Sequence, residues 1–197
     1  FQIGLFYHFH KSIEDNILKL RIRKKLGVIE RKIKNTCRVY VFFINKPRYN
    51  LLYRYPERDL FPTTRSEGIG NVTFSPLAHG MLSAKYVPGE PPPPGRRGAD
   101  PVRGTYMKQL YWSDDNRLQA QALEKLAREL GVTAAQLAIA WILTRSDVTS
   151  AILGTTSVAQ LEENLKAADL VIPPDILAKI EALYPLADNT PRITRHH

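Results

Sequence analysis

The stretch FSPLAHGMLSAKY, residues 74–86, directly follows GIGNVTF, an apolar segment in which Val72 and Phe74 alternate with Thr73. This alternation between glycines predicts a β-strand, and Pro76 ends it because proline cannot donate to a strand ladder. The next residues offer backbone amides, hydroxyls and one cation, without an acid: Ser75, Ser83 and Lys85. Such a donor set after a strand is typical of a phosphate site, and an ordinary solvated loop is the alternative interpretation.

A second phosphate signal lies in AILGTTSVAQLEENL, residues 151–165. The pattern predicts a strand that ends at Gly154 and a helix that starts two or three residues later. The unpaired amides at such a helix start favour an anion. Gln160, Glu163 and Asn164 lie three and four residues apart, so they share one helix face, which is either a binding face or a solvated one. Two such strand ends converge only if both strands are parallel.

The rest of the chain alternates strand and helix patterns. RVYVFFIN, ending at Asn45, and TSAIL, residues 149–153, predict further strands. Helices are expected at about residues 57–66, from Asp114 or Asp115 to Leu130, from the Thr133 cap through AAQLAIAWILTR, from the Ser157 cap and in PPDILAKIEALYP. The helix to Leu130 is expected to bury a stripe of Leu118, Ala122 and Leu126. Apolar strands between helices indicate an α/β fold with a parallel sheet, open or closed into a barrel.

Composition restricts the class of protein further. The 197 residues are 44% hydrophobic, which suits a single domain. No apolar run is long enough to cross a bilayer, so no membrane partner is expected. The single cysteine, Cys37, fits a reducing compartment and predicts a cytoplasmic protein.

The charge is distributed unevenly along the chain. The net charge of +9 comes mainly from residues 1–45, a divergent basic segment with ten Lys/Arg against three acids. A nucleic-acid interface in residues 11–38 lacks any reading motif, so nucleic acid is not an expected partner. The segment VPGEPPPPGRRGADPVRG, residues 87–104, predicts no regular structure. It is either a mobile flap that carries Arg96, Arg97 and Arg103 or a disordered loop.

Four motifs together resemble the aldo-keto reductase family, in the branch that includes potassium-channel beta subunits. They are INKPRYNLLYR, EGIGNVTFSPLAHGMLSAKY, AAQLAIAWIL and ILGTTSVAQLEENL, and the resemblance covers roughly residues 45–185 in unbroken order. It implies a (β/α)8 barrel of the TIM type and transfer of hydride from NADPH to aldehydes and ketones. The expected partners are therefore a nicotinamide dinucleotide, NADP(H), and a small carbonyl substrate.

The resemblance also implies roles for particular residues. Phe74 would stack on the nicotinamide, and Asn45 and Lys46 would lie at the same end of the cofactor. The pyrophosphate loop would comprise Ser75, Pro76, Leu77, Ala78, Gly80, Ser83 and Lys85. The adenosine end would be held by Gly154, Thr156, Gln160, Glu163 and Asn164. Lys46 stands where the family usually has a glutamine that binds the carboxamide, and a lysine lacks an acceptor.

The front of the chain departs more from the family pattern. His10, or His8 in another register, would be the catalytic histidine that contacts the substrate carbonyl. Ile29 and Glu30 stand where the family has serine and asparagine. The family places its catalytic aspartate, tyrosine and lysine on strands one to three, and on this alignment the chain corresponds to strands four to eight.

Two function classes follow from this alignment. One is a truncated, weakly active or inactive NADPH-dependent reductase, and the other is a catalytically silent NADP-binding or structural module. Open barrel edges would be expected to self-associate, to aggregate or to be completed by a missing segment.

Overall fold

The fold, known from a computed structural model that describes residues 44–186, contains a three-stranded parallel sheet. Its strands are β1 (Ile44–Asn45), β2 (Gly70–Phe74) and β3 (Val148–Ile152), in that spatial order. Ile44 pairs with Gly70, and Phe74 pairs with Ile152. The predicted parallel arrangement of these three segments is therefore confirmed within the described residues. The predicted histidines, His8 and His10, and the Ile29–Glu30 pair lie outside them.

Helices connect and cover the strands. Their bounds are α1 (Leu60–Ser66), α2 (Thr105–Tyr111), α3 (Asp114–Glu129), α4 (Ala134–Leu143), α5 (Val158–Leu165) and α6 (Pro174–Leu183). The predicted caps are confirmed: Thr133 forms a capping box with Gln136, and the Ser157 hydroxyl accepts from the Gln160 amide. Among the described helices, none is by itself long and apolar enough to span a membrane, and α3 and α4 pass such a test only as a pair bent by 86°.

The core is built around α4, which is buried along almost its whole length. Trp141 and Leu137 of α4 pack with Tyr49, which follows β1, and with Met81, which follows β2. The Tyr49 ring stacks on Trp141 at a centroid distance of 5.4 Å. The apolar composition of AAQLAIAWIL is explained by this position, because a helix that is covered on all sides has no solvated face.

The predicted buried stripe of α3 was wrong. Leu118 is 57% exposed, and Ala122 and Leu126 are only half-buried. The buried face instead carries Ala120, Leu123 and Ala127 with the stem of Arg117. The two alanines allow α3 to approach α4 closely, which a pattern based on large apolar side chains does not reveal.

Glu181 of α6 joins three basic or polar groups inside the fold. Its carboxylate accepts from Arg54 Nη1 at 2.6 Å, from Trp141 Nε1 at 2.9 Å and from Arg145. The Arg54 and Arg145 guanidinium groups also lie over the Trp141 ring, at 5.2 and 4.2 Å from its centroid. Burial raises the pKa of Glu181, but the hydrogen bonds from Trp141, Arg145 and Arg54 outweigh it, so the net pKa is lowered.

Residues 87–104 are largely irregular, as predicted, but they are attached to the body of the fold. Arg117 donates to the carbonyl oxygens of Val87 and Glu90, and the Tyr86 hydroxyl accepts from the Gly98 amide. Gly98 lies in a tight space where an added Cβ would be 3.0 Å from the Tyr86 ring. The segment therefore presents Arg96 and Arg97 from a fixed support.

The α/β class is confirmed, whereas three strands do not by themselves establish a closed or partial barrel. The sheet direction has one consequence for function. Because all three strands are parallel, their carboxyl ends meet at one edge, where loops from different parts of the chain lie together.

We expect Glu181→Gln to lower the free energy of unfolding by about 1 to 3 kcal/mol, because charged hydrogen bonds from Arg54 and Arg145 lose their acceptor charge. Urea unfolding at pH 7 measures this loss, with Glu162→Gln on an exposed glutamate as the control.

The loss is also expected to depend on pH. The folded pKa of Glu181 is lowered, so its contribution is complete above the unfolded value of about 4.5 and disappears as the pH falls through the folded value. A difference between wild type and Glu181→Gln that persists unchanged below pH 3 would contradict the assignment.

Candidate cofactor site

The backbone around Phe74 joins the ends of β1 and β2. The Phe74 amide donates to the Pro47 carbonyl at 3.0 Å, and the Tyr49 amide donates to the Phe74 carbonyl at 3.2 Å. Arg48 and Phe74 thereby form a parallel bridge. The Phe74 side chain is 37% exposed at this edge, although most large aromatic side chains nearby are buried. Its ring is therefore available to stack on a planar ligand.

The loop that follows, residues 75–84, has an unusual backbone. Four of its residues other than glycine have positive φ: Ser75 (56°), Ala78 (48°), His79 (58°) and Ala84 (55°). Gly80 also has a positive φ, 98°. Left-handed residues of this kind each cost of the order of 1 to 3 kcal/mol, and they concentrate at ligand sites. We name residues 75–84 the left-handed loop.

Side-chain hydrogen bonds hold this conformation. The buried Asn50 Nδ2 donates to the Ser75 carbonyl at 2.9 Å, and Ser83 Oγ donates to the Gly80 carbonyl at 2.7 Å. Pro76 and Ala78 are buried and Leu77 is half-buried, so they fix the loop by packing. Of the predicted pyrophosphate residues, these three can offer a ligand mainly backbone atoms.

Basic groups gather around the left-handed loop. Lys85 follows it directly, Arg96 and Arg97 come from residues 87–104, and Arg48 follows β1, where its charge and that of Arg97 act on His79 within the loop. Desolvation, together with the charge of Arg96, lowers the pKa of Lys85. Like charges that lie close together favour binding of an anion, which would relieve their repulsion. A phosphate group is the anion that the donors of this loop suit best.

At the nicotinamide end of the predicted site, the structure gives Asn45 and Lys46 different surroundings. Asn45 Nδ2 donates to Asn71 Oδ1 at 3.4 Å, while Asn45 Oδ1 accepts from the Lys46 amide at 2.9 Å. Asn45 is therefore engaged within the sheet edge. The Lys46 side chain is exposed and points a charged donor, rather than an amide, towards solvent at this edge.

The predicted adenosine residues lie beyond β3. The Thr156 amide and hydroxyl both donate to Gln160 Oε1 at 3.1 Å. Gly154 and Thr156 are exposed, and an added Cβ at Gly154 would meet nothing within 4 Å, so a ligand can approach the backbone there. Asn164 is half-buried.

The structure turns Glu163 away from this group. Its carboxylate accepts from Lys166 Nζ at 2.6 Å and from Gln136 Nε2 at 3.3 Å. These side chains line a groove of about 590 Å³ that also includes Arg128, Thr133, Asp169 and Leu170. Contact between Glu163 and a ligand at the start of α5 would require the carboxylate to leave these partners.

Sequence reasoning missed four residues around the left-handed loop: Arg48, Asn50, His79 and Tyr111. Asn50 Nδ2 donates to the Tyr111 hydroxyl at 3.2 Å, and the His79 ring lies 6.0 Å from the Tyr111 ring. A signal was available for Arg48 and Asn50, because both occur in INKPRYNLLYR beside the strand end. Tyr111 lies 32 positions or more from the other three residues, so its place here depends on tertiary structure.

Comparison with known proteins gives a consistent result. The model of the Aldo/keto reductase family matches residues 24–185. A probable voltage-gated potassium channel subunit beta from Oryza sativa is 37% identical over 143 residues, which are 71% of this chain and 43% of that protein. An L-glyceraldehyde 3-phosphate reductase from Escherichia coli O157:H7 is 36% identical over 141 residues, 70% of this chain and 40% of that protein.

A more distant relative is the uncharacterized oxidoreductase YrpG of Bacillus subtilis, 32% identical over 138 residues, which are 70% of this chain and 39% of that protein. The chain thus spans about two fifths of the length of the curated relatives it matches. The family that the four motifs predicted is confirmed.

The left-handed loop allows a matched pair of substitutions. We expect Gly80→Ala to destabilise the fold by about 1 kcal/mol, because an L-residue is strained at a φ of 98° although its Cβ has space. Ala84→Gly removes a Cβ from a left-handed residue, so it should be neutral or stabilising by up to about 1 kcal/mol. Urea unfolding of the two variants tests both signs, and equal destabilisation by both would contradict the assigned backbone.

Proposed function

The chain belongs to the aldo/keto reductase family, whose members bind a nicotinamide cofactor and carbonyl substrates, and we propose that it is the cofactor-binding part of an NADPH-dependent reductase of small aldehydes or ketones. The observation that carries this proposal is the left-handed loop at the carboxyl end of β2, with Lys85 directly after it. The loop is strained, and it is surrounded by cations. Binding of a polyphosphate would offset both the backbone strain of the loop and the repulsion between the neighbouring cations.

The residues present fit an NADP cofactor in charge and shape. Desolvation lowers the pKa of Lys85, and Arg96 lies close enough for its charge to add to this effect. NADPH carries a third phosphate that NADH lacks, so this density of cations favours NADPH over NADH. In the proposed mode, Phe74 stacks on the nicotinamide, the left-handed loop and Lys85 hold the pyrophosphate, and Gly154 and Thr156 adjoin the adenosine.

When bound, the nicotinamide supplies the hydride for the carbonyl carbon. The chain's own contribution within residues 44–186 is to bind and orient. Phe74 fixes the plane of the ring, and the loop anchored by Asn50 fixes the distance between ring and phosphates. Lys46 offers donors but no acceptor to the carboxamide, and its charge disfavours the oxidised, cationic ring.

Lys46 favours a second candidate function, a module that binds NADPH but does not transfer its hydride to a carbonyl. A cation beside the nicotinamide favours the reduced ring and so retains the hydride. The predicted losses at Ile29 and Glu30 act in the same direction, because they remove two groups that orient the carboxamide in the family. Binding of NADPH is common to both candidates, which differ in whether the bound NADPH reduces a carbonyl when the family's catalytic groups are present.

We expect Lys85→Ala to weaken NADPH binding by about 1 to 3 kcal/mol, the range for a charged hydrogen bond. Fluorescence titration measures the affinity, and Lys108→Ala, which removes an exposed lysine on α2, is the control with the same change of charge. Equal affinity in wild type and Lys85→Ala would remove Lys85 from the site.

Turnover is tested with a reactive aldehyde such as 4-nitrobenzaldehyde, by following NADPH consumption at 340 nm. The chain alone is first checked for folding by circular dichroism, and we expect no NADPH consumption above a heat-treated control. The reason is that the alignment with strands four to eight gives this chain no counterpart of the family's catalytic tyrosine, and positioned acid catalysis is worth about 10² to 10⁴ in rate. Turnover that His10→Ala abolishes would instead establish the chain as a reductase on its own. Lys46→Gln is the matched variant for the binding-module candidate, because it restores the family's amide and removes the charge that disfavours the oxidised ring.

A further inference from the structure

Arg48 is a half-buried cation without an acid partner. Its guanidinium carbon lies 3.6 Å from the centroid of the Tyr53 ring and 5.9 Å from that of Tyr111. Within residues 44–186, no carboxylate forms an ion pair with it. Other arginines of this part of the chain do have acid partners: Arg54, Arg65, Arg103, Arg117, Arg128 and Arg145. Arg48 also hydrogen-bonds the Tyr111 side chain. Partly burying a charge that has no acid partner is costly, so a guanidinium held by two aromatic rings and a neutral hydroxyl indicates an anion that is supplied from outside.

A second arginine approaches the same place from residues 87–104. Arg97 Nη1 lies 3.2 Å from His79 Nδ1, so the imidazole nitrogen accepts from the guanidinium and the ring is neutral in this arrangement. Desolvation, with the charges of Arg97 and Arg48, lowers the pKa of His79. Both arginines therefore act on one imidazole. We name Arg48, His79 and Arg97 the basic cluster.

Tyr111 lies beside Arg48 and His79 of the basic cluster and adds a neutral donor. Its hydroxyl oxygen accepts from Asn50 Nδ2, which leaves the hydroxyl hydrogen to donate elsewhere. Burial raises the pKa of Tyr111, which keeps the hydroxyl protonated. The same Asn50 amide group holds the Ser75 carbonyl, so the basic cluster is fixed relative to the left-handed loop. Two forked donors, one hydroxyl and one imidazole are the groups that recognise a phosphoryl oxygen.

We propose that Arg48, His79 and Arg97 form an anion site around Tyr111 that binds a phosphoryl group beside the left-handed loop. The group belongs either to the dinucleotide or to a separate phosphorylated ligand, and the chemistry of recognition is the same. The inference rests on the proposed function only in that both assign a phosphate to the neighbourhood of the left-handed loop. Binding of inorganic pyrophosphate tests it without NADPH.

The first experiment measures the affinity for inorganic pyrophosphate and for NADPH by calorimetry, in wild type, Arg48→Gln, Arg48→Lys and Arg103→Gln. Arg103 is exposed and paired with Asp100, so its substitution changes the net charge equally away from the basic cluster. We expect Arg48→Gln to weaken pyrophosphate binding by about tenfold or more, Arg48→Lys to retain part of the affinity, and Arg103→Gln to have no effect. Urea unfolding verifies that each variant is folded.

The two ligands separate the sources of the phosphoryl group. If Arg48→Gln weakens pyrophosphate and NADPH by similar factors, the site holds the cofactor's phosphates. If it weakens the binding of pyrophosphate alone, the site binds a separate phosphorylated ligand. The proposed function is then tested independently by the NADPH affinity of Lys85→Ala. If pyrophosphate binds equally well to wild type and Arg48→Gln, the proposal is overturned.

A second experiment tests His79 through pH, with sulfate as the probe because its charge is constant between pH 5.5 and 8. The charged and titratable groups that face His79 are Arg48, Arg97 and Tyr111, and only His79 is expected to change charge in this range. An anion favours the protonated imidazole, so sulfate affinity should rise as the pH falls through the pKa of His79, which lies below its usual value of about 6.5. His79→Asn should make the affinity independent of pH. A flat profile in wild type would remove His79 from the site.

Discussion

The amide of Asn50 is the contact on which the candidate site depends. It donates both to the Ser75 carbonyl and to the Tyr111 hydroxyl, and thereby joins the end of β1, the start of the left-handed loop and the end of α2. Asn50 is fully buried, and these bonds are formed in a region of low polarity where their loss would be costly. A loop with five residues at positive φ would otherwise relax towards less strained conformations. The free energy gained by burying α4 beneath the loop offsets the cost of this backbone strain.

Charge is arranged differently at the two ends of the parallel sheet. At the amino ends of β2 and β3, Arg65 pairs with Asp147 through two hydrogen bonds of 2.8 and 2.6 Å. At the carboxyl ends, Arg48 and Arg97 have no acid partner among residues 44–186. Paired charges neutralise one another, so they produce little electrostatic attraction for a ligand. Cations without an acid partner attract an anion, and they lower the stability of the fold until the anion binds. The described sheet thus has a paired arginine at its amino end and arginines without an acid partner at its carboxyl end.

Much of the fold follows from local sequence, and the site follows from it only in part. The strand at Val72, the caps at Ser157 and Thr133 and the turn after Phe74 depend on neighbouring residues, so they could be predicted. Which face α3 buries depends on how closely alanines allow α4 to approach, which no single-helix pattern contains. The basic cluster was not predicted for a related reason: Arg48, His79 and Arg97 belong to three segments, and only the fold brings both arginines to His79.

Relatives with two different descriptions resemble this chain to a similar extent. A probable channel subunit and a glyceraldehyde phosphate reductase match this chain over nearly the same share of its length and at nearly the same identity. The region that both share therefore carries the common requirement, which we take to be binding of the dinucleotide. What separates reductase from binding module must act on the nicotinamide and the carbonyl. In the proposed binding mode, Lys46 is the residue that we expect to do so, because it is an exposed cation beside Asn45 at the end of β1. Because a cation would stabilise the reduced ring relative to the oxidised one, we expect Lys46 to affect hydride release even where the phosphates are bound with full affinity.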